Sequence, residues 1–229
     1  MKNLRLIPSY PKDAASIIVL KKKIRNTFVL MGRRPAKSKF MPNIYVFPGG
    51  SVDQSDYKIN KYYELITSLN KNKIKTRSNN HTIAIMLAAI RETAEESGLF
   101  LVNKNKLKSR KNFIIPDGWN NFVENSLIPD IEKLIYFGRA ITPSFLKIRF
   151  HARFFIANFD NFIGSIRTNG ELEDISWVNI KDAKKLPIAD VTDFLIKRLI
   201  DLNKDNLFID TGAYPIFTRK NNKKWIKWD

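Results

Sequence analysis

The chain contains no cysteine, only two histidines, and 22 acidic residues against 40 basic ones in 229. Without cysteine there are no disulfides and no thiol chemistry, which fits a cytoplasmic protein. No run of about 18 apolar residues is present, so no transmembrane helix is expected. The longest early apolar stretch, Ala14 to Leu20, is short and is followed by Lys21, Lys22 and Lys23, which makes it a poor signal peptide. Internal repeats are absent, as are an aromatic RNP stretch and a Cys/His finger. The shortage of acids leaves a net charge of +18, a field that attracts nucleic acid, anionic lipid or polyphosphate metabolites. Lysine, asparagine and isoleucine are abundant together and the lysines are spread through loops. A compositional bias is therefore the favoured explanation, and nucleic acid a partner that is permitted but not favoured. With 44% apolar residues the chain can bury a substantial core, most economically as one domain over 1–229 with insertions.

What the chain does hold is a helical stretch, Thr82 to Leu99, in which its few acids gather. At about 100° per residue, Ile83, Leu87, Ile90 and Ala94 share one face and Glu92, Glu95 and Glu96 cluster roughly opposite. Asn79 or Asn80 can cap the start, and Gly98 stands where a left-handed C-terminal cap is expected. Carboxylates at this spacing repel one another, and the last turn of a helix already carries the negative end of the macrodipole. A bound cation would resolve the conflict, and oxygen-only ligands with no nearby Cys or His favour Mg²⁺ or Mn²⁺ over zinc. The alternative is a solvated acidic face partly neutralised by Arg91.

Around this helix, Ala15–Leu20 and Thr27–Met31 read as a strand hairpin across a basic turn. Gly32–Pro42 is a basic loop whose Arg33, Arg34, Lys37 and Lys39 could meet phosphates or stay solvated. Ile44–Phe47 is a short strand stopped by Pro48-Gly49-Gly50, where two glycines leave room for a ligand or metal to approach the carbonyls. Polar sequence from Ser51 to Asn80, with an amphipathic helix over Asp56–Leu69, reads as an insertion. Beyond the acidic helix come a lysine-rich loop (Asn103–Asn112) and a short helix near Gly118–Ser126. Strands follow at Leu134–Thr142, Arg149–Asn158 and Glu173–Ile180, the second alternating as a half-buried strand does. Ile188–Leu202 is an amphipathic helix, and the tail ending KKWIKW reads as a docked or frayed terminus rather than a membrane or partner anchor. His151, inside a strand pattern, reads as a packed or edge residue. Strands on both sides of one central helix imply an α+β sandwich.

Pro48-Gly49-Gly50 followed by RETAEESGL resembles the Nudix box, whose general pattern is G-x5-E-x7-R-E-U-x-E-E-x-G-U with U a bulky apolar residue. Arg91, Glu92, Glu95, Glu96, Gly98 and Leu99 match its second half, and Thr93 stands where an apolar residue is usual. In the first half Gly50 matches, but Asp56 occupies the glutamate position, and Gly50 and Arg91 are separated by 27 residues more than the pattern has. Such an insert, at about 52–80, is similar to the subgroup of the peroxisomal coenzyme A diphosphatase and its bacterial relatives, whose flanking segments resemble this chain from about Ala14 to Leu202. The resemblance implies an α/β/α sandwich with a mixed sheet between helices, and a hydrolase that cleaves a diphosphate linkage in a nucleoside diphosphate derivative by water attack on phosphorus, with coenzyme A or acyl-coenzyme A the favoured substrate. It implies that Glu92, Glu95 and Glu96, with the backbone of Gly49, hold Mg²⁺ or Mn²⁺, and that Arg91 orients a glutamate. Glu171 and Glu173 are candidates for the general base, with ordinary loop acids as the alternative. Arg33, Arg34 and Lys39 are candidate substrate ligands, and Asp56 is left without a metal. The peroxisomal relatives' targeting tail is missing at Lys227-Trp228-Asp229, so a cytoplasmic enzyme is expected. A non-catalytic nucleotide- or RNA-binding protein of the same fold is the competing class, and a homodimer is compatible with the resemblance.

Overall fold

The computed structural model describes residues 9–69, 71–103, 113–202, 208, 210–220 and 223–228. In chain order the elements are β1 (Lys12–Lys23), β2 (Asn26–Arg33), β3 (Tyr45–Val46), β4 (Gly49–Ser51), α1 (Gln54–Tyr63), α2 (Lys71–Ile74), α3 (Asn79–Ser97), β5 (Leu99–Asn103) and α4 (Asn120–Glu124). They continue as β6 (Ile128–Pro129), β7 (Ile135–Ile141), β8 (Phe150–Asn158), β9 (Phe162–Gly164), β10 (Glu173–Asn179), α5 (Asp190–Leu202), β11 (Pro215–Lys220) and β12 (Lys223–Trp228).

Alternation along β1 sets the architecture. Ala15, Ile17 and Val19 enter one core with Leu87 and Ile90 of α3, while Ile18 and Leu20 enter a second with Leu195, Ile196 and Leu199 of α5. Successive side chains of a strand point to opposite faces, so both faces of the sheet are covered, one by α3 and the other by α5. The main sheet runs β10-β2-β1-β8-β7-β11-β12, with β3 beside β2 and β4 beside β1. The β1–β8 and β7–β11 pairs are parallel and the rest antiparallel, giving the mixed sheet between helices of an α+β sandwich. A small second sheet, β6-β5-β9, follows α3.

Local sequence differs from expectation in four places. The cap of α3 is Ser78, whose Oγ accepts from the His81 N–H at 3.1 Å, so Asn79 and Asn80 are helical rather than capping. The insertion helix ends at Tyr63 instead of reaching Leu69, because Glu64 turns left-handed (φ 51°) and its N–H closes on the Asn60 carbonyl. β8 is not half-buried in its middle: Arg153 to Ala157 are all buried, since helices cover both faces. The KKWIKW tail forms β12, an exposed edge strand in hairpin pairing with β11. The Asn103–Asn112 loop lies outside the described residues apart from Asn103, which ends β5.

Two ties seat α3 and the segment before it on the sheet. Asp13 of β1 lies 3.0 Å from His81 Nε2 and also accepts from Arg153 of β8. Arg153, 1% exposed, donates onward to the carbonyls of Ile74 and Lys75 at 3.3 and 2.9 Å, holding the end of α2. A charge this deep is tolerated because carboxylate and carbonyl acceptors replace its water. Thr93, the departure from an apolar box position, is also buried, and its hydroxyl donates to the Ala89 carbonyl at 2.7 Å. The hydroxyl is thus satisfied within the helix.

His151 of β8 packs with its Nε2 3.1 Å from Arg139 Nη1. Burial and the Arg153 and Arg139 charges push its pKa down to about 3 from the usual 6.5. The folded state therefore favours the neutral ring. Stability that is complete above pH 6.5, where the unfolded histidine also loses its proton, should drain away as the pH falls toward 3, by up to about 1.4 kcal/mol per unit from this residue. Urea midpoints at pH 7, 6, 5 and 4 should fall less steeply in His151→Gln than in the parent. Parallel slopes would mean that His151 is not held neutral.

Candidate active site

The last two turns of α3 lie against β4. Gly98 ends the helix at φ 74° with its N–H on the Ala94 carbonyl, which leaves Glu92, Glu95 and Glu96 in the closing turns. These glutamates are not a solvated face: Glu96 is 5% exposed and Glu92 and Glu95 are half-buried.

At the centre is Arg91. Its Nε and Nη2 donate to the two carboxylate oxygens of Asp56 at 2.9 and 3.1 Å, and Nη2 also donates to the Ser51 carbonyl at 3.1 Å. Its Nη1 donates to Glu92 Oε1 and Glu95 Oε2, both at 3.0 Å. Every guanidinium N–H is used, and the partners hold Arg91 firmly charged, with its pKa raised. Burial pushes the Asp56 carboxyl upward, and the Arg91 guanidinium works against that shift. Asp56 closes a capping box on α1, accepting from the Asp53 N–H at 2.8 Å. Sequence reading left Asp56 without a metal; its one sequence signal was its register with the box glutamate. A second missed residue is Gly118, whose left-handed backbone (φ 81°) lies directly on Arg91 and Glu95, where a Cβ would crowd both side chains.

Glu92, Glu96 and Glu171 are brought together, each offering a carboxylate oxygen so that these atoms lie within 4.8 Å of one another. Burial pushes Glu92 up to about 7 and Glu96 well above the usual carboxylate range, and the neighbouring acids raise both further. Glu96 takes a hydrogen bond from the Gly49 N–H at 2.8 Å, and no Lys or Arg forms an ion pair with it among the described residues. Neighbouring buried carboxylates of this kind are costly unless protons or a cation compensate them. The donor set is all oxygen, which fits a hard divalent ion. Gly50 makes the packing possible: a Cβ there would overlap the Glu92 carboxylate.

The other candidate residues are placed differently. Glu95 is half-buried, is engaged by Arg91, and lies outside the three-carboxylate group. Glu173 forms an ion pair with Arg33 at 2.9 Å, so both face each other across β10 and β2 and not the glutamates. Arg34, with Nε on the Phe40 carbonyl at 2.9 Å, is near enough for its charge to act on Glu96. Lys39 is exposed in the loop beyond it. Beside the glutamates opens a cavity of about 660 Å³, which Gly49, Gly50 and Arg34 border at one end.

No family model matches the chain. It is 29% identical over 179 residues to the putative nudix hydrolase 7 of Caenorhabditis elegans, covering 75% of this chain and 52% of that protein. With the acyl-coenzyme A diphosphatase NUDT19 of Xenopus laevis it shares 33% identity over 105 residues, 37% of this chain and 28% of the relative. The chain thus spans about half the length of one curated relative and under a third of the other. A crystal structure of a NUDIX hydrolase from Alicyclobacillus acidocaldarius superposes with a TM-score of 0.64 at 24% identity, over 82% of this chain and 90% of that one, which shows the fold.

Asp56→Ala should cost about 3–5 kcal/mol, because it strands a buried guanidinium with part of its partners gone. Denaturant titration measures this; a loss under 1 kcal/mol would mean that Arg91 does not depend on Asp56. Gly50→Ala should displace Glu92 while leaving the rest of α3 in place. The expected result is Mn²⁺ affinity weakened about tenfold or more, on the scale of losing a supporting contact to a ligand, read by titration calorimetry.

Proposed function

We propose, from the premise that this chain belongs to the Nudix hydrolase family, that it is a metal-dependent hydrolase of a diphosphate linkage in a nucleoside diphosphate derivative. The observation that carries the reading is the convergence of Glu92, Glu96 and Glu171 beside Gly49 and Gly50, buttressed by the Arg91 hub. In this reading Glu92, Glu96 and Glu171 hold Mg²⁺ or Mn²⁺. When bound, the cation supplies charge neutralisation for the diphosphate and a lowered pKa for water.

The chain's own residues have separable tasks. Arg91 fixes Glu92 and Glu95 in place, so Glu95 acts through Arg91 and positions rather than binds. Glu96 is aligned by the Gly49 N–H. Glu171, exposed and free of ion-pair contact among the described residues, offers the cation one carboxylate oxygen and takes with the other the proton that the attacking water gives up. Water adds to one phosphorus, the bridging P–O bond breaks, and the bond's electron pair leaves with the other phosphate. Arg34, at the border of the cavity and close to Glu96, faces the phosphate oxygens with a planar guanidinium suited to them. Arg33 has its charge paired with Glu173 and is assigned no phosphate.

For the substrate we favour coenzyme A or an acyl-coenzyme A. The support is the likeness to a relative named for acyl-coenzyme A diphosphatase activity and a cavity adjoining the carboxylates that is large enough for a small-molecule ligand.

Products from coenzyme A, acetyl-coenzyme A, ADP-ribose, NADH and a dinucleoside polyphosphate, separated by chromatography with Mg²⁺, Mn²⁺ or chelator, test the reading. Coenzyme A derivatives should be cleaved in preference, only with the cation, and at least about a hundredfold more slowly by Glu96→Gln. Turnover that survives both chelator and Glu96→Gln would falsify the assignment.

A further inference from the structure

Glu171 belongs to the loop between β9 and β10, and the ties of that loop bring an exposed carboxylate to the glutamates of α3. At its start the Arg167 N–H donates to the Ser97 carbonyl at 2.9 Å, at the end of α3. Within it the Thr168 hydroxyl donates to the Leu172 carbonyl and accepts from the Gly170 N–H at 3.1 Å, while the Glu171 N–H donates to Asn169 Oδ1 at 3.0 Å. These short-range bonds fix the shape of the turn. At its end Leu172, 1% exposed, lies over Gly32 of β2, where a Cβ would come within 2.9 Å of it.

Beyond Leu172 the strand opens irregularly. Glu173 pairs with Arg33 and Ser176 with Met31, so β10 carries one residue more than β2 over this stretch, a β-bulge. Inside it Asp174 is left-handed (φ 49°), a backbone state uncommon outside glycine and best tolerated by Asn and Asp. In a regular strand Asp174 would point to the face opposite Glu173. The bulge instead brings both carboxylates to one pair of register partners: Glu173 meets Arg33, and Asp174 accepts a hydrogen bond from the hydroxyl of Tyr45, which faces Arg33 from β3. Tyr45 is itself a fixed post, its N–H donating to the Pro187 carbonyl at 2.9 Å.

We infer that Tyr45 and Asp174 are positioning residues for Glu171: their hydrogen bond holds the bulge, and the bulge sets where the chain leaves β10, so that Glu171 meets Glu92 and Glu96. The inference rests on the proposed function, in which Glu171 gives the cation one oxygen. The carboxylates of Glu92 and Glu96 repel that of Glu171, so until a cation is bound the backbone alone keeps it in place. The bonds inside the turn fix its shape but not its direction relative to α3. Direction is set where the turn joins the sheet. There Glu173 would meet Arg33 in a regular ladder as well, whereas the bond between Tyr45 and Asp174 forms only with the extra residue in place.

Mn²⁺ binding by titration calorimetry on the full chain reads this without turnover. Tyr45→Phe, which removes one hydroxyl and keeps the ring, should weaken Mn²⁺ binding about fivefold, the scale of one net hydrogen bond. Asp174→Gly, which loses the acceptor but suits the left-handed backbone, should weaken it as much. Asp174→Asn keeps an acceptor and tolerates the same conformation, and should restore most of the affinity. Thermal unfolding of each variant separates loss of fold from loss of binding, and Tyr45→Phe carries the test if an Asp174 variant unfolds. The decisive comparison is made in Glu171→Gln protein, where adding Tyr45→Phe should change Mn²⁺ affinity by less than about twofold, because a residue acting through another loses its effect when that one is gone. A Tyr45→Phe effect equally large with and without the Glu171 carboxylate overturns the inference in favour of an action through the Gly49 segment. Unchanged affinity in Tyr45→Phe, or an Asn variant as weak as the Gly variant, also overturns it, and a weakening by Glu171→Gln then leaves the metal reading standing. Affinity indifferent to Glu171→Gln rejects Glu171 as a ligand, and the inference with it.

Discussion

A single buried guanidinium holds this site together. Arg91 reaches three otherwise separate parts of the chain: Asp56 on α1, the Ser51 carbonyl of β4, and Glu92 and Glu95 on its own helix. The fork geometry of arginine suits this role, since paired donors meet paired oxygens without a proton being lost. A lysine at the same position would be a point charge with fewer donors and could not register α1 against α3. The acidic cluster is thus partly answered from inside the protein, yet Glu92, Glu96 and Glu171 still face one another. That residual repulsion is what a divalent cation would relieve.

The two faces of the sheet divide the labour. On one side α3 presses its apolar residues into the core and delivers the glutamates at its C-terminal end; on the other, α5 and the terminal hairpin enclose an apolar cavity. Gly49 and Gly50 join the two. Gly49 adopts φ 152° and lies on β1, where a side chain would clash with the Ala15 carbonyl and Ser16, and Gly50 lies against Glu92. Backbone approach at this pair lets the border of the cavity and the Glu92 carboxylate meet at β4, which larger residues would force apart.

Much of this was legible before the coordinates. The helix carrying the glutamates, the hairpin before it and the amphipathic helix near the C-terminus follow from periodicity and from Gly98, because local burial patterns dominate there. What the sequence did not disclose depends on distance. The partnership of Asp56 with Arg91 spans 35 positions and has no local signature beyond an acid in the register of the box. Glu171 and Glu173 looked equivalent as neighbouring acids. The strand boundary separates them: Glu173 opens β10 and pairs with Arg33 across the sheet, whereas Glu171 lies before the strand begins and turns to the glutamates. The cavity was invisible for the same reason, since its wall draws residues from five segments far apart in sequence.

The tie between Asp56 and Arg91 has a consequence for how such a chain can vary. Because the hydrogen-bonded pair ties the first turn of α1 to the C-terminal half of α3, the chain between the two helices behaves as a clasped loop. The entropy of closing a clasped loop rises only slowly with its length, by about 0.6 kcal/mol for each doubling. Residues can be gained or lost within the clasp, around the bend after Glu64, without shifting the glutamates relative to one another. The protein therefore carries a built-in graft point. A longer or shorter segment there leaves the glutamates in register with one another.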